Sequence, residues 1–391
     1  MEQKKIIFVT ATPVTIKLKE LFFLDLFEQN GFDVECWNLH KIYNKHLEIL
    51  PNKLASSKIF SFDSLKDVKD RLKLNNTKNT IILSGLDDDY IFRHAFKLFA
   101  TYNFFITTIF PYGGIYGLRL KLKDKILRIF SSNIPQKIKP TLQKKYYHFY
   151  KKWHNIDLTT YWFSSTIPCS TAINHPDYED FIKIKDSKER IQNEDYIVFL
   201  DTYIPLHPDL LTFNALKYVK PENYQAALRA FFDKIEQKFN AEVIIAAHPK
   251  AVYDNNEFGN RQIIKYKTNL LVKDAKLVVT HMSSSTSFAL LFNKPVVFIT
   301  TTEINKIPKF AFSMHNYAKY LNKQIYNIDE CQVEQMNFSE VEEMYRKTYI
   351  YSCLTSLETE NLTNKEILRK EYEQIFNKIS NKNIKAKYEH E

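Results

Sequence analysis

Two hydrophobic periods alternate along the first half of the chain and predict strands separated by amphipathic helices. Short runs with an apolar centre stand at 4–10, 79–85 and 157–165, and a helical pattern at 16–31 closes on Gly31. Strands of this length that alternate with helices pack as a parallel sheet with crossover connections. The first half therefore predicts a Rossmann-like α/β domain.

The same rhythm restarts after a charged stretch at 183–195 that contains few large apolar residues. Strand patterns follow at 196–200, 241–247 and 276–281, and a helical stripe occupies 221–239 behind a proline at its start. The second half therefore predicts another Rossmann-like unit, although it lacks the glycine-rich turn that usually marks one.

The length of 391 residues fits two domains rather than one. We place the first domain at 1–185, the second at 196–345, and a mainly helical tail at 346–391. Within the tail, Thr363 and Glu366 form a capping box that predicts the start of a long helix.

Composition argues against a secreted or membrane-spanning protein. Four cysteines are scattered without the spacing of a disulfide or zinc framework, which is typical of reduced thiols in the cytoplasm. The apolar run near the N-terminus is too short for a signal peptide, and no run approaches the length of a membrane span. We expect a cytoplasmic protein.

The positive charge of the chain is concentrated in one segment. The formal net charge is +10, and residues 119–152 hold eleven Lys or Arg and one Asp. Apolar residues interleave with these charges, which is typical of a segment that lies on an anionic membrane or binds an anionic polymer. We expect a peripheral position at the inner membrane face; a solvated helix at a domain edge is the alternative. Nucleic acid is not expected as a partner, because no recognition module is present.

Candidate ligand-binding residues follow two predicted strands of the second domain. His248, Pro249 and Lys250 come directly after the strand at 241–247. Ligands of doubly wound sheets bind beyond the carboxyl ends of the strands, and Pro249 fixes the backbone next to the imidazole. Taken alone, such a His-Pro pair is usually a turn.

A serine-rich run follows the strand at 276–281, where the next helix is predicted to begin. It contains Ser283, Ser284, Ser285 and Thr286. Hydroxyl donors, free amides and the helix dipole together favour an anion. Such a run is often only a helix cap, but together with His248 it predicts a phosphate site.

The "HPK" at 248–250 and "SSSTSFALLFNKPVVF" at 283–298 resemble the paired HP and serine-rich motifs of bacterial GT-B glycosyltransferases that use CMP-activated sugars. These are the sialyltransferases, polysialyltransferases and Kdo-type capsule transferases, and the resemblance covers mainly residues 196–300. It implies an α/β GT-B fold, with two Rossmann-like domains whose parallel sheets face each other across a cleft.

The resemblance also implies roles for the parts of the chain. The domain at 1–185 would bind the acceptor, the domain at 196–345 would bind the nucleotide-sugar donor, and the tail at 346–391 would cross back to the first domain. Transfer would need no metal and no cofactor. His248 would contact the CMP phosphate and stabilise it as a leaving group, and the serine run would bind the same phosphate or the ribose.

A transferase also needs a base for the acceptor hydroxyl, and a carboxylate is the expected group. The related sialyltransferases carry an acidic pair followed by glycine, whereas "GLDDDY" at 85–90 has its glycine first. Asp88 is one candidate catalytic residue. Asp201, which follows the strand at 196–200, is the other, and it could equally orient the donor. Asp87 and Asp89 form a DxD, but no partner ligands accompany them, so no metal site is predicted.

The resemblance thus implies transfer of a sialic acid-like or Kdo-like sugar from its CMP form to a cell-surface glycan of lipopolysaccharide or capsule, or to a glycolipid. Teichoic-acid polymerases that use CDP-glycerol have a similar HP and serine arrangement, so a CDP-glycerol or other nucleotide-sugar transferase is an alternative. A non-catalytic nucleotide-binding or membrane-scaffold protein is a third.

Overall fold

The structure is a computed structural model that describes residues 3–44, 58–112, 134–156, 161–166, 169–204, 206–207, 219–253 and 256–380, with the backbone alone at 134–141 and 309. Its contacts divide the chain into two compact units. The first unit takes in described residues up to 112, from 134 to 174 and from 357 onward; the second takes in 175–356.

The first unit is built on a parallel sheet of seven strands in the order β3-β2-β1-β4-β5-β6-β7. The strands are β1 (Lys5–Thr10), β2 (Asp33–Asn38), β3 (Lys58–Ser61), β4 (Thr80–Ser84), β5 (Phe105–Phe110), β6 (Tyr161–Ser164) and β7 (Thr171–Ala172). In the register, Lys5 is opposite both Asp33 and Thr80. The predicted strands at 4–10 and 79–85 are confirmed; of the strand predicted at 157–165, residues 157–160 lie outside the described residues.

The second unit is built on a parallel sheet of six strands in the order β10-β9-β8-β11-β12-β13. The strands are β8 (Tyr196–Leu200), β9 (Glu242–Ala247), β10 (Ile263–Lys265), β11 (Leu277–Thr280), β12 (Val296–Thr300) and β13 (Ile325–Asn327). In each sheet the first strand of the unit, β1 or β8, is an interior strand. The next two strands are added on one side of it, and the chain then returns to add the remaining strands on its other side. This is the doubly wound order of a Rossmann-like domain.

Fourteen α-helices in the described part of the chain accompany the two sheets. They are α1 (Ile16–Leu21), α2 (Leu24–Gln29), α3 (His40–Tyr43), α4 (Leu65–Leu72), α5 (Arg93–Thr101), α6 (Ile134–Trp153), α7 (Pro176–Ile184), α8 (Pro221–Phe239), α9 (Thr268–Asp274), α10 (Thr286–Leu291), α11 (Thr302–Asn305), α12 (Pro308–Tyr320), α13 (Glu343–Tyr349) and α14 (Asn364–Ser380). The helix predicted at 16–31 is interrupted, because Phe23 adopts a left-handed backbone with φ of 56° between α1 and α2.

Each sheet is buried on both faces, as its nearly continuous apolar strands require. In β1, Ile6 and Phe8 pack into one hydrophobic core while Ile7 and Val9 pack into the other. Polar side chains that meet a ligand are therefore expected at strand ends, and in doubly wound sheets ligands bind at the carboxyl ends.

The last helix, α14, packs against the first sheet. Tyr372 is fully buried, stacks on Phe163 with ring centroids 5.5 Å apart, and shares a hydrogen bond of 2.7 Å with Thr107. The chain thus passes from the second unit back to the first near 356/357.

The units divide at 174/175 and 356/357, whereas the sequence suggested boundaries near 185/196 and 345/346. The difference lies in α7 and α13, which pack on the second unit. His175, at the start of α7, donates its backbone N–H to the carbonyl of Leu354 at 2.7 Å.

Of the helices that the structure describes, none combines the length and the apolar character that crossing a membrane would require. Residues 119–133 of the basic segment lie outside the described residues, and its remainder belongs to α6.

Candidate functional site

Three neighbouring strands of the second sheet end side by side and bring the predicted residues to one edge. β8 lies between β9 and β11. Asp201 follows β8, His248 follows β9, and the serine run follows β11. The chain reverses direction between β8 and β11, which is the position where doubly wound sheets bind ligands. The order of the strands therefore puts Asp201 between His248 and the serines.

The His248 ring is oriented by the turn that follows it. The backbone N–H of Lys250 donates to His248 Nδ1 at 3.2 Å, and the N–H of Ala251 donates to the His248 carbonyl at 3.0 Å. With Nδ1 acting as an acceptor, the neutral imidazole carries its proton on Nε2. Pro249 and Lys250 are exposed, and His248 is partly exposed at the strand end.

Asp201 is held in a hydrogen-bond network beneath this turn. The Tyr253 hydroxyl donates to Asp201 Oδ2 at 2.5 Å, and the backbone amides of Tyr203 and Thr202 also donate to the carboxylate. Burial raises the pKa of Asp201 to about 6, against the opposing effect of these hydrogen bonds. With only 5% of its surface exposed, the carboxylate suits the positioning of Tyr253 better than contact with an acceptor hydroxyl.

Tyr253 connects Asp201 to His248. Its hydroxyl, besides donating to Asp201, has a backbone hydrogen bond with His248. Burial and the neighbouring carboxylate raise the pKa of Tyr253 far above its usual range, so the hydroxyl keeps its proton. Asp201 therefore fixes Tyr253, and Tyr253 in turn supports the backbone that carries His248.

Two further rings surround the His248 imidazole. Tyr203 lies parallel to it, with centroids 6.5 Å apart and an interplanar angle of 5°, and His207 meets it edge-on at 4.9 Å. Tyr203 has a left-handed backbone with φ of 56°, a conformation that costs a non-glycine residue free energy. Its ring also packs edge-on against Tyr253 at 5.9 Å.

The serine run forms a tight turn into α10. The N–H of Thr286 donates to the Ser283 carbonyl and that of Ser287 to the Ser284 carbonyl, both at 3.1 Å. Ser284 is exposed, Ser283 and Ser285 are partly exposed, and Thr286 is fully buried. Three of the four predicted residues therefore reach the surface, whereas Thr286 lies within the protein.

Buried polar residues stand on either side of the serine run in the sequence. His281 is fully buried; its Nε2 lies 3.0 Å from the Tyr224 hydroxyl and its Nδ1 lies 2.8 Å from the Ile299 carbonyl. Burial lowers the pKa of His281 to about 4, so its ring is neutral near neutral pH. Ser287 donates its hydroxyl to Asp177, which ties α10 to α7.

Asp88 belongs to the first unit, in the loop after β4. Tyr147 Oη donates to Asp88 Oδ1 at 2.9 Å, and Lys151 Nζ donates to Oδ2 at 2.7 Å. Both donors come from α6. The other two acids, Asp87 and Asp89, are exposed, and neither side chain has a hydrogen bond or ion pair to another described residue.

The described residues contain no group of three or more His, Cys, Asp or Glu side chains that could hold a metal ion.

Reasoning from the sequence missed the groups that hold the predicted site residues. Tyr203 and Tyr253 surround His248, and Tyr147 and Lys151 bind Asp88. Tyr253 and Tyr203 offered local signals, since Tyr253 follows His248 by five positions and Tyr203 follows Asp201 by two.

Comparison with known proteins supports the fold but no family by sequence. No protein-family model and no curated protein matches the chain. Among solved structures, the calicheamicin glycosyltransferase CalG4 is similar over 97% of this chain and 100% of its own, with a TM-score of 0.50 and 10% identity.

Two other solved structures show weaker likeness. A variant of the wall teichoic acid polymerase TagF is similar over 96% of this chain and 89% of its own, with a TM-score of 0.48 and 12% identity. MurG from Acinetobacter baumannii is similar over 97% of this chain and 100% of its own, with a TM-score of 0.41 and 8% identity. The two parallel α/β units and the likeness to CalG4 confirm the predicted fold class: the chain has the GT-B fold.

Proposed function

We propose that the protein is a glycosyltransferase that binds a nucleotide-activated donor at the carboxyl edge of its second sheet. The observation that carries the proposal is the meeting of His248, Asp201 and the serine run on three adjacent strand ends at the point where the sheet reverses direction. The GT-B fold, which the chain shares with a glycosyltransferase, supports the same reaction class.

In this proposal His248 assists departure of the nucleotide. Its Nδ1 accepts a backbone N–H, so a neutral ring presents an Nε2 proton to a phosphate oxygen. Negative charge grows on that oxygen as the bond to the sugar breaks, so a donor fixed in advance stabilises the transition state more than the bound substrate. Ser283, Ser284 and Ser285 would bind the same phosphate or the ribose, and Lys250 would add positive charge.

We propose a CMP-activated sialic acid-like or Kdo-like sugar as the donor, because the HP and serine-rich motifs resemble those of CMP-sugar transferases. CDP-glycerol is the second candidate, since the HP and serine arrangement also resembles that of teichoic-acid polymerases that use CDP-glycerol. The acceptor would be a cell-surface glycan of lipopolysaccharide or capsule, or a glycolipid. No cofactor is needed for this reaction.

The test is to incubate the protein separately with CMP-sialic acid, CMP-Kdo and CDP-glycerol, with and without acceptor glycans, and to measure CMP release. We expect release from one CMP-sugar and little from CDP-glycerol. Release from CDP-glycerol alone would replace the donor assignment. Tight CMP binding without release from any donor would favour the non-catalytic nucleotide-binding alternative.

The candidate base can be tested in the first unit. Asp88→Asn should lower transfer to a glycan acceptor at least tenfold if Asp88 deprotonates the acceptor, since general base catalysis contributes about 10²–10⁴ in rate. Donor hydrolysis by water and CMP binding should change little. Acceptor kinetics and CMP titration measure the two effects.

Asp87→Asn is the matched control, because it removes an exposed acid from the same loop. A loss of transfer in Asp87→Asn that equals or exceeds the loss in Asp88→Asn would argue against Asp88 as the base. That result would assign Asp88 to holding α6 through Tyr147 and Lys151.

We also propose that the protein works in the cytoplasm, at the inner face of the membrane. The excess positive charge of residues 119–152 would draw it to anionic lipid, where lipid-linked acceptors are found. Such attraction weakens as salt screens the charges.

A further inference from the structure

Helix α6 has an inner face that packs on the first unit. Tyr147 and Tyr150 are buried in a core that also contains Phe96 and Phe99 of α5. Tyr147 and Lys151 donate to Asp88, and the Tyr150 hydroxyl lies 3.2 Å from His94 Nδ1. These contacts fix the rotation of the helix and therefore determine which of its residues face solvent.

The exposed face of α6 beside this inner face is apolar where a surface helix is normally polar. Leu142, Tyr146, Phe149 and Trp153 have 60%, 51%, 58% and 71% of their surface exposed. Their spacing of four, three and four residues aligns them, because each helical position turns about 100° and the four fall within about 60°. We call these four residues the α6 stripe.

Neighbouring side chains extend the apolar surface. Phe149 packs on Trp153 with centroids 5.7 Å apart, and Tyr146 meets Tyr90 edge-on at the same distance. Ile91, next to Tyr90, is 55% exposed. A contiguous exposed apolar surface of this kind marks a site of interaction.

The charged residues of α6 itself have one sign, whereas the exposed acids Asp87 and Asp89 lie in the loop that leads to Tyr90. Residues 134–156 contain no Asp or Glu. Lys145 and Lys152 are exposed and lie on the helix next to the stripe, about 60–80° from Leu142. Lysines of this kind keep their charge among lipid headgroups while the neighbouring aromatic rings enter the interfacial region.

We propose that the α6 stripe inserts into the interfacial region of an anionic lipid bilayer and orients the first unit on the membrane. This inference rests on the proposed function, which includes a membrane-linked acceptor. It concerns the α6 stripe and not the strongly basic stretch at 119–133. Tyr and Trp favour the bilayer interface because their rings are apolar at one end and polar at the other. Charge complementarity selects a negatively charged surface.

The first experiment uses Trp153 as its own probe. Vesicles of equimolar phosphatidylcholine and phosphatidylglycerol should shift the tryptophan emission of the full-length protein to shorter wavelength, and brominated lipid should quench it. Trp37 is fully buried but Trp162 is 37% exposed, so Trp153→Phe is needed to identify the source of the signal. In Trp153→Phe the shift should disappear while co-sedimentation with vesicles persists.

The second experiment measures vesicle binding itself. The variant with Phe149→Ser and Trp153→Ser should bind anionic vesicles about tenfold more weakly or worse, because two exposed rings no longer leave water. Leu74→Ser is the control, since it removes an even more exposed apolar side chain of the same unit outside α6. It should bind like the unaltered protein.

Three results would overturn the inference. Vesicle binding that salt abolishes completely, with no change in Trp153 emission, would assign the attraction to charge alone. Equal binding of the Phe149→Ser, Trp153→Ser variant would exclude the stripe. Concentration-dependent dimerisation in sedimentation, lost in that variant, would identify a second copy of the chain as the occupant.

Measuring CMP release in the same preparations separates this inference from the proposed function. Both stripe variants should release CMP from the donor at the unaltered rate with water or a short water-soluble acceptor, because the donor residues belong to the second unit. Vesicle insertion without CMP release from any donor would support the stripe and contradict the glycosyltransferase proposal.

Discussion

His248→Ala should lower donor turnover about 100-fold to 1,000-fold and leave the fold unchanged. The range is typical for loss of one hydrogen-bond donor to charge that develops in a transition state. The imidazole is partly exposed at the end of β9, so its removal leaves no large cavity in the core. CMP release from the accepted donor measures the rate, and thermal unfolding measures stability.

His315→Ala is the control for this variant, because His315 is an exposed histidine on α12 of the same unit. His248→Gln should recover part of the lost rate, since its amide can still donate a hydrogen bond. Turnover of His248→Ala at the level of the unaltered protein would contradict the leaving-group role. Equal losses in His248→Ala and His315→Ala would point to a general loss of folded protein.

The parts of the site that were predictable from the sequence are those that depend on only a few consecutive residues. A buried strand that ends at His248, and another that ends before the serine run, are visible as hydrophobic patterns. The rule that ligands bind at carboxyl strand ends then brings the two motifs together without knowledge of any contact. The two Rossmann-like units follow from the same alternation, and the resemblance of the two motifs to those of known transferases supplied the GT-B expectation.

The position of Asp201 between His248 and the serine run could not be predicted from neighbouring residues in the sequence. It depends on β8 lying between β9 and β11, and strand order is decided by how crossover helices pack on the two faces of the sheet. The partners of the carboxylates are also distant in sequence: Tyr253 lies 52 residues after Asp201, and Tyr147 lies 59 residues after Asp88.

The hydrophobic pattern also could not predict which apolar residues of α6 are buried and which are exposed. The basic segment reads as an amphipathic helix, which leaves open which face meets the protein. Tyr147 and Tyr150 lie inside and Tyr146 and Phe149 outside, although all four are aromatic. The hydrogen bonds to Asp88 and the packing on α5 make that choice, and they exist only in the folded domain.

Tyr253→Phe should reduce turnover about tenfold although Tyr253 is not expected to contact the donor. The variant loses the hydroxyl that donates to Asp201 and meets the backbone of His248. It also leaves a buried carboxylate short of a donor, which should cost about 1–3 kcal/mol of stability. CMP release and chemical denaturation measure the two losses.

Asp201→Asn tests the same connection from its other end. Its amide oxygen can accept from Tyr253, but its NH₂ group then faces the backbone amides of Thr202 and Tyr203, which also donate. We therefore expect a loss of turnover similar to that in Tyr253→Phe. In the double variant the losses should not add, because both changes break one chain of contacts. Full additivity would mean that Asp201 acts independently of Tyr253, as a base or donor ligand would.

The pH dependence of stability gives a readout that a contact with substrate would not produce. Burial holds the pKa of Asp201 at about 6, above the ordinary value of 3.8, so between these values the folded protein keeps a proton that the unfolded chain releases. The free energy of unfolding should therefore fall as pH rises from 4 to 6, by up to about 3 kcal/mol from this group, and the contribution should be constant above pH 6. Asp177, whose pKa burial also raises to about 6, contributes a slope of the same sign, whereas His281 and His175, whose pKa burial lowers to about 4, contribute the opposite sign. Only the difference between the unaltered protein and Asp201→Asn therefore isolates Asp201. Asp201→Asn should remove the falling contribution in that window, and an unchanged slope would mean that Asp201 is not the buried acid on which the turn of His248 depends.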